Sequence, residues 1–366
     1  MPRSLYCPYR VFVKIRDSQA RYAPFHDLIL AHNHIVFDLT EEEYRVKQQE
    51  TLTLFTRETG ITTDTVPDFL EQLPFPVRQG AGSGLFILEE VQQDHAKNLR
   101  NYGVCVVILE QPESLAILQN NFYWQLEKPS PFGSSDAVNW QQIVARAGRM
   151  PLNALVLVDN YLLGNATKAT DRGMVNILDI LFELMPTKQN SALPFQILLV
   201  AAHKGGLHLR VDELDQIQEK LDTTRSLLLD TLTRRMRYKV EVGILLHSNA
   251  NSDFHRRAII SNYHFLRFDH GLDAFDRNRV RFHNDMSVEG AFRNLGNPKC
   301  HTPWKSMALE LQSIKRALSL NAGVLTSGSC DNRLLELVSP PSSAQNPYNP
   351  YQRDQRAFLN RSATPA

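Results

Sequence analysis

Cysteine is scarce in this chain. Four of its 366 residues are cysteine, at Cys7, Cys105, Cys300 and Cys330, and no two stand at CxxC spacing. That excludes a zinc signature and a dense disulfide framework, and leaves free thiols in a reducing compartment as the expectation. Net charge is nearly absent: 40 Lys and Arg face 39 Asp and Glu. Attraction to a polyanion must therefore come from a local patch, not from the overall field. No apolar run approaches the roughly 18 residues of a membrane span. The stretch MPRSLYCPYRVFVKIRD lacks the apolar core of a signal peptide. A soluble, cytoplasmic chain without a transmembrane segment is expected.

Several chemical signatures are missing as well. There is no G-x-S-x-G elbow for a serine hydrolase. RQGAGSGLF brings Gly80, Gly82 and Gly84 close together, but without Gly-Lys-Ser/Thr, so it reads as a turn and not as a phosphate loop. His32 and His34 alternate, yet spacing places no third ligand beside them, so no metal site is expected. No motif requires a cofactor, and no repeat of fixed period appears.

What is present falls into three stretches. Residues 1–135 hold mixed signals. YRVFVKI alternates like a short strand and DLILAHNHIVFDL reads as a second. Thr40 with Glu43 three residues on makes a capping box for a helix through EEEYRVKQQETLTLFTRET, and GVCVVIL is an apolar strand. This block reads as a smaller N-terminal α+β domain. A linker rich in Pro, Ser and Gly, EKPSPFGSSDA, follows. From 139 to 322 strands and helices alternate: NALVLVDNYLL, then ATDRGMVNILDILFELM, FQILLVAA, a long helix over RVDELDQIQEKLDTTRSLLLDTLTRR, KVEVGILLH, and RAIISNYHFLRF as a hairpin or long strand. RNRVRFHN suits a further strand, and Pro303 opens a helix over PWKSMALELQSIKRALSL. The alternation predicts an α/β domain with a mixed, mainly parallel sheet covered by helices on both faces. Residues 323–366 are rich in Pro, Ser, Asn and Gln and read as a flexible tail.

One spacing carries chemistry. His255, Arg257 and Asn262 stand at H-x-R-x-x-x-x-N, just after the strand–helix–strand–helix–strand order. This resembles the phospholipase D-like superfamily, whose motif is H-x-K-x-x-x-x-D, over roughly residues 140–320. The resemblance implies a nucleophilic His255, a phosphate-stabilising Arg257 and an orienting residue at Asn262. Asparagine departs from the family's aspartate there: an amide hydrogen-bonds but cannot lend a charge to an imidazole. No second motif copy is found. A transfer reaction of this kind therefore requires two chains to meet as a homodimer, or a second acid among His247, His264, His270 and His283.

Around the motif, ten Lys or Arg outnumber five Asp or Glu between residues 234 and 281. They include Arg234, Arg235, Arg237, Lys239, Arg256 and Arg267, with Tyr238, Phe254, Tyr263, Phe265, Phe268 and Phe275 interleaved. That pattern suits a nucleic-acid-binding face, with Arg256, Arg257 and Arg267 on phosphate, and equally a buried core with exposed arginines around it. Asp159 closes the strand LVLVD, where ligands of parallel sheets gather, so Asp159, Asn160 and Tyr161 are expected beside His255. The leading expectation is a phosphate-binding, nucleic-acid-binding module built on a degenerate phospholipase D-like domain. The alternatives are a metal-independent phosphodiesterase or nuclease that uses His255 in a dimer, and a non-catalytic scaffold that binds protein partners through the N-terminal domain and tail.

Overall fold

The computed structural model of the chain describes residues 4–30, 34–55, 61–79, 84–119, 121–126, 139–147, 149–163, 166, 168–190, 192–203, 211–248, 257–272, 274–276, 279–281, 284–290, 302–320, 324–336 and 338. In chain order the first part runs β1 (Ser4–Tyr6), α1 (Tyr9–Asp17), α2 (Ala23–Leu30), β2 (His34–Phe37), α3 (Glu41–Phe55), β3 (Thr62–Thr65), α4 (Phe75–Gln79), β4 (Gly84–Leu88), α5 (Gln93–Arg100), β5 (Cys105–Ile108) and α6 (Glu113–Gln119). Its five strands form one all-parallel sheet in the order β3-β2-β1-β4-β5.

This part is therefore α/β, not the expected α+β. The reason lies in YRVFVKI, which is helix α1 and not a strand. Its buried residues, Tyr9, Val11, Phe12 and Ile15, follow one helical face, and the V-F-V alternation is coincidental. DLILAHNHIVFDL likewise splits between the end of α2 and β2. The capping box forms as the sequence implies. The Thr40 N–H donates to Glu43 Oε2 at 2.9 Å, and the Glu43 N–H donates to Thr40 Oγ1 at 3.2 Å.

The second part opens with β6 (Asn121–Leu126). It continues α7 (Trp140–Ala147), β7 (Ala154–Val158), α8 (Arg172–Leu184), β8 (Phe195–His203), α9 (Val211–Arg235), β9 (Val240–Ser248), β10 (Arg257–Ser261), β11 (His264–Phe268), β12 (Phe275–Asp276), β13 (Arg279–Val280), β14 (Asn284–Gly290), α10 (Thr302–Leu320), β15 (Val324–Ser327) and α11 (Arg333–Glu336). Eight of these strands form a mixed sheet ordered β15-β9-β8-β7-β10-β11-β14-β6. Only β7, β8 and β9 run parallel to their neighbours in that group, and every other pairing is antiparallel. The expectation of a mainly parallel sheet is corrected here. Parallel pairing needs a crossover, which α8 and α9 supply, whereas β10 and β11 are joined by a tight turn at Asn262 and Tyr263.

The sheet also crosses the boundaries expected at 135 and 323. β6, from the first block, pairs with β14 along its whole length. β15 and α11 lie past residue 322, yet β15 pairs with β9. Arg333 of α11 is buried and donates to the carbonyls of Asn153 at 2.8 Å and Pro194 at 2.5 Å. Gly243 on β9 permits this strap to lie close, because a Cβ there would overlap the Ser329 carbonyl. Residues 339–366 lie outside the described residues.

The central strands are mostly apolar. β7 is buried at all five positions, as suits a strand covered on both faces. One hydrophobic cluster runs from Leu5, Phe12 and Val107 in the first part to Leu155, Leu199 and Leu266 in the second. Tyr263, in the β10–β11 turn, joins the two sheets. Its ring is fully buried, and its hydroxyl accepts the Cys105 N–H and donates to the Gly84 carbonyl, each at 2.7 Å. Cys105 opens β5 and Gly84 opens β4, so a side chain from the second part bridges an N–H and a carbonyl at the start of these paired strands that would otherwise be stranded in the core. Gly103, at φ +78°, packs against the Leu152 backbone at the same junction.

Candidate functional site

The carboxyl ends of β7, β8 and β9 point the same way, and β10 begins beside them. Asp159 follows β7 directly. It is buried, and its carboxylate is organised by the chain: Oδ1 accepts the Tyr161 N–H at 2.9 Å and Oδ2 accepts the Leu272 N–H at 2.7 Å. Arg257, the first residue of β10, sets its Nε 4.0 Å from Asp159 Oδ1. Its Nη1 donates to the Asp269 carbonyl. The guanidinium carbon lies 5.5 Å from the centre of the Tyr161 ring, and that ring is 51 % exposed. The structure thus brings together Asp159, Tyr161 and Arg257. His255 and Arg256 lie outside the described residues.

Asn262 does not join them. β10 runs antiparallel to β7, with Ala258 opposite Val158 and Ser261 opposite Leu155. Arg257 therefore sits at the carboxyl edge and Asn262 past the far end of the strand, about 17 Å away at extended-chain spacing. Asn262 is 1 % exposed. Its Oδ1 accepts the N–H groups of Asn153 and Ala154 at 3.2 and 3.4 Å, and its Nδ2 donates to Asn153 Oδ1 at 2.9 Å. This amide organises the start of β7, and the four-residue interval of the motif spans a strand, not a pocket. Beneath it, Ser261, His264, Met150 and Leu266 help to line a cavity of about 10 Å³, room for a single water.

The other expected groups are scattered. Arg267 pairs with Ala258, one step from the Arg257–Phe268 pair, so strand alternation turns it to the opposite face. Arg234, Arg235, Arg237 and Lys239 lie at the end of α9 and before β9, at the amino end of the parallel strands. Of the interleaved aromatics, Tyr263, Phe265, Phe268 and Phe275 are core, and Phe254 is outside the described residues. His247 is buried at the end of β9, His264 is buried at the opposite end of the sheet, and His270 is exposed in the turn after β11. His283 is outside the described residues.

A second group was not singled out from sequence. At the carboxyl edge of the first sheet, Asp38 and Glu89 each follow a strand directly, and Glu110 stands two residues past β5. Asp38 accepts the Tyr9 N–H at the start of α1, at 2.6 Å. Lys14 bridges Glu89 and Glu110 at 2.9 Å each, and Arg10 lies 3.2 Å from Glu89. The two carboxylates push the Lys14 ammonium well above the usual lysine range. Burial raises Glu110, but hydrogen bonds from Lys14 and the Glu90 N–H outweigh it and hold the carboxyl below its ordinary value. The signal was a carboxylate just after each apolar strand. The structure shows these groups spent on one another and on a helix start. His34, on β2, pairs its Nδ1 with Ser4 Oγ at 2.8 Å, His26 lies on α2, and His32 is outside the described residues. Among the described residues no group of three or more His, Cys, Asp or Glu is placed to hold a metal ion, and no helix is long and apolar enough to cross a membrane.

No family model, curated protein or solved structure matches this chain. The likeness to phospholipase D-like domains therefore rests on the chain's own residues.

Proposed function

We propose that the carboxyl edge of β7–β9 is a phosphate-binding face, and that the phosphate it takes belongs to a nucleic acid. The observation that carries this reading is the Arg257 guanidinium, hydrogen-bonded to the Asp269 carbonyl and 4.0 Å from the Asp159 carboxylate, beside the exposed Tyr161. A planar guanidinium suits a phosphate oxygen pair, and an exposed ring offers a stacking surface for an unpaired base. Arg257 carries five N–H donors, and the two contacts above engage only Nη1 and the neighbourhood of Nε. Arg256 precedes it in the chain.

The same geometry favours binding over hydrolysis. A phosphohistidine reaction needs its assisting groups around one phosphorus, and Asn262 is committed at the other end of β10. Arg267 faces the opposite side of the sheet, so it is not assigned to this face.

Fluorescence anisotropy with a labelled single-stranded DNA oligonucleotide tests the reading. The wild-type protein should bind with a clear salt dependence. Arg257→Gln should weaken binding and flatten the plot of log affinity against log salt by about 0.7, the loss of one phosphate contact on a single strand. Binding that Arg257→Gln leaves unchanged, or no binding at low salt by single- or double-stranded DNA or RNA, overturns it.

A further inference from the structure

Asp159 is a carboxylate almost cut off from water. It is 2 % exposed, at the end of the apolar strand β7. A charge in such a place is costly unless hydrogen bonds and an opposite charge offset it. The residue is bonded through backbone and side chain alike. Its N–H donates to the Val200 carbonyl at 2.9 Å, and its carbonyl accepts the Leu162 N–H at 3.1 Å. Oδ1 accepts the Tyr161 N–H at 2.9 Å, and Oδ2 accepts the Leu272 N–H at 2.7 Å. Tyr161 lies two residues on, whereas Leu272 lies 113 residues on and is itself fully buried. Arg257 Nε, 4.0 Å from Oδ1, feels the charge but stands beyond hydrogen-bond reach.

A local turn needs only the bond to Tyr161. Asparagine or serine caps such a turn through one acceptor oxygen, without burying a charge. The bond to Leu272 needs a second acceptor, and among side chains of this size only a carboxylate offers one oxygen to each of two N–H donors. We infer that Asp159 is a positioning residue. It clasps the turn that carries Tyr161 to the turn of residues 269–272, and so sets the Tyr161 ring against the Arg257 guanidinium. This rests on the phosphate-binding reading of the same edge. Arg257 is held by the second of these turns, because its Nη1 donates to the Asp269 carbonyl. The Asp269 N–H in turn donates to the Asp285 carbonyl on β14 at 3.1 Å. One carboxylate thus joins the aromatic platform to the loop that holds the cation.

The clasp gives the edge a preference. With the ring set 5.5 Å from the guanidinium carbon, a strand can place a phosphate on Arg257 and a neighbouring base on Tyr161 at once. The ring is 51 % exposed, yet its backbone is already held, so it has little freedom left to lose on binding. Without the clasp the ring is present but no longer set, and the contribution of the base falls. The contribution of the phosphate remains, since the Asp269 carbonyl still holds Arg257. Asp159 therefore governs the choice of a base-bearing strand over bare sugar-phosphate, and Arg257 governs the affinity for both.

Anisotropy with two labelled probes, oligothymidylate and an abasic strand of the same length, tests this. The wild-type chain should prefer oligothymidylate roughly tenfold, the effect of one stacked base. Asp159→Asn keeps the shape but turns an NH₂ group toward one of the two N–H donors, so the preference should fall to within about twofold. Arg257→Gln should weaken both probes and leave the preference in place. An Asp159→Asn variant that loses affinity for both probes in equal proportion, or a wild-type chain that binds both probes alike, overturns the inference. A wild-type chain that binds neither probe overturns the phosphate-binding reading, and the inference with it. Hydrogen exchange resolved to single amides in the wild-type chain decides the matter if Asp159→Asn fails to fold. Tyr161 and Leu272, held by one carboxylate, should be protected equally, and protection that differs by more than about tenfold overturns the clasp.

Discussion

Removing one oxygen atom, in Tyr263→Phe, tests how the two sheets are held together. The substitution keeps the buried ring and deletes only the hydroxyl. Two bonds of 2.7 Å disappear, one from the Cys105 N–H and one to the Gly84 carbonyl. The Cys105 amide is left without its partner inside the protein, which costs about 1–3 kcal/mol, and the lost bond to Gly84 adds about 0.5–1.5 kcal/mol. A total of about 2–4 kcal/mol follows. In urea, with a denaturation slope of roughly 3 kcal/mol per molar, the midpoint should fall by about 1 M at constant slope. Tyr238→Phe is the control. Its hydroxyl makes a single bond, donated to the Pro186 carbonyl at 2.6 Å in a half-buried setting, so its loss should cost only about 0.5–1.5 kcal/mol. Hydrogen exchange followed by mass spectrometry adds a local readout, since the peptide over residues 103–110 should exchange faster only in Tyr263→Phe. A Tyr263→Phe midpoint no lower than that of Tyr238→Phe would refute the reasoning.

Asn262→Asp restores the acidic residue of the phospholipase D-like motif, yet it should create no phosphodiesterase activity, because the position lies across the sheet from Arg257. It should instead destabilise the protein by about 2–4 kcal/mol, since a buried carboxylate loses the donation to Asn153 Oδ1 and faces that oxygen instead. Lowering the pH should narrow this deficit in chemical unfolding, as a protonated carboxyl can donate again; activity gained by the variant would contradict the placement. Burial pushes the Cys7 thiol well above its ordinary range and the Cys105 thiol up to about 12. Iodoacetamide near pH 8 should therefore label neither residue in the native protein and both in urea, as read by peptide mass spectrometry. Because the folded state keeps the Cys105 proton while the unfolded thiol ionises near 9.0, its contribution to stability is complete below pH 9 and is lost between there and about 12. Stability that rises with pH over that interval would refute the burial.

Much of the fold was legible where signals are local. The capping box at Thr40 and Glu43, the apolar run of β7 and the amphipathic face of α8 each announce themselves within one element. YRVFVKI was not legible, because a short apolar run with a V-F-V alternation fits a strand and a helix equally. The helical face appears only once Phe37 and Phe12 meet at 5.1 Å between ring centres. The reach of the larger sheet was hidden for a different reason. β6 finds β14 some 160 residues later, and β15 completes the sheet from within a stretch whose composition resembles a tail. The site was legible in part. Asp159 at a strand's carboxyl end, with Tyr161 and Arg257 nearby, follows from the strand order. The role of Asn262 does not, since its partners Asn153 and Ala154 lie more than 100 residues away. Nor does the dispersal of the arginines, because alternation along β11 and the direction of α9 decide which edge and which face each one occupies.

The most direct test of the phosphate-binding edge is hydrogen exchange by mass spectrometry with and without a saturating single-stranded oligonucleotide. The geometry predicts slower exchange at residues 157–163, 257–259 and 268–272, at the carboxyl edge of the parallel strands, and no change over residues 260–265 or 234–240 at their amino end. Protection confined to residues 234–240, or no protection at either edge, would contradict it.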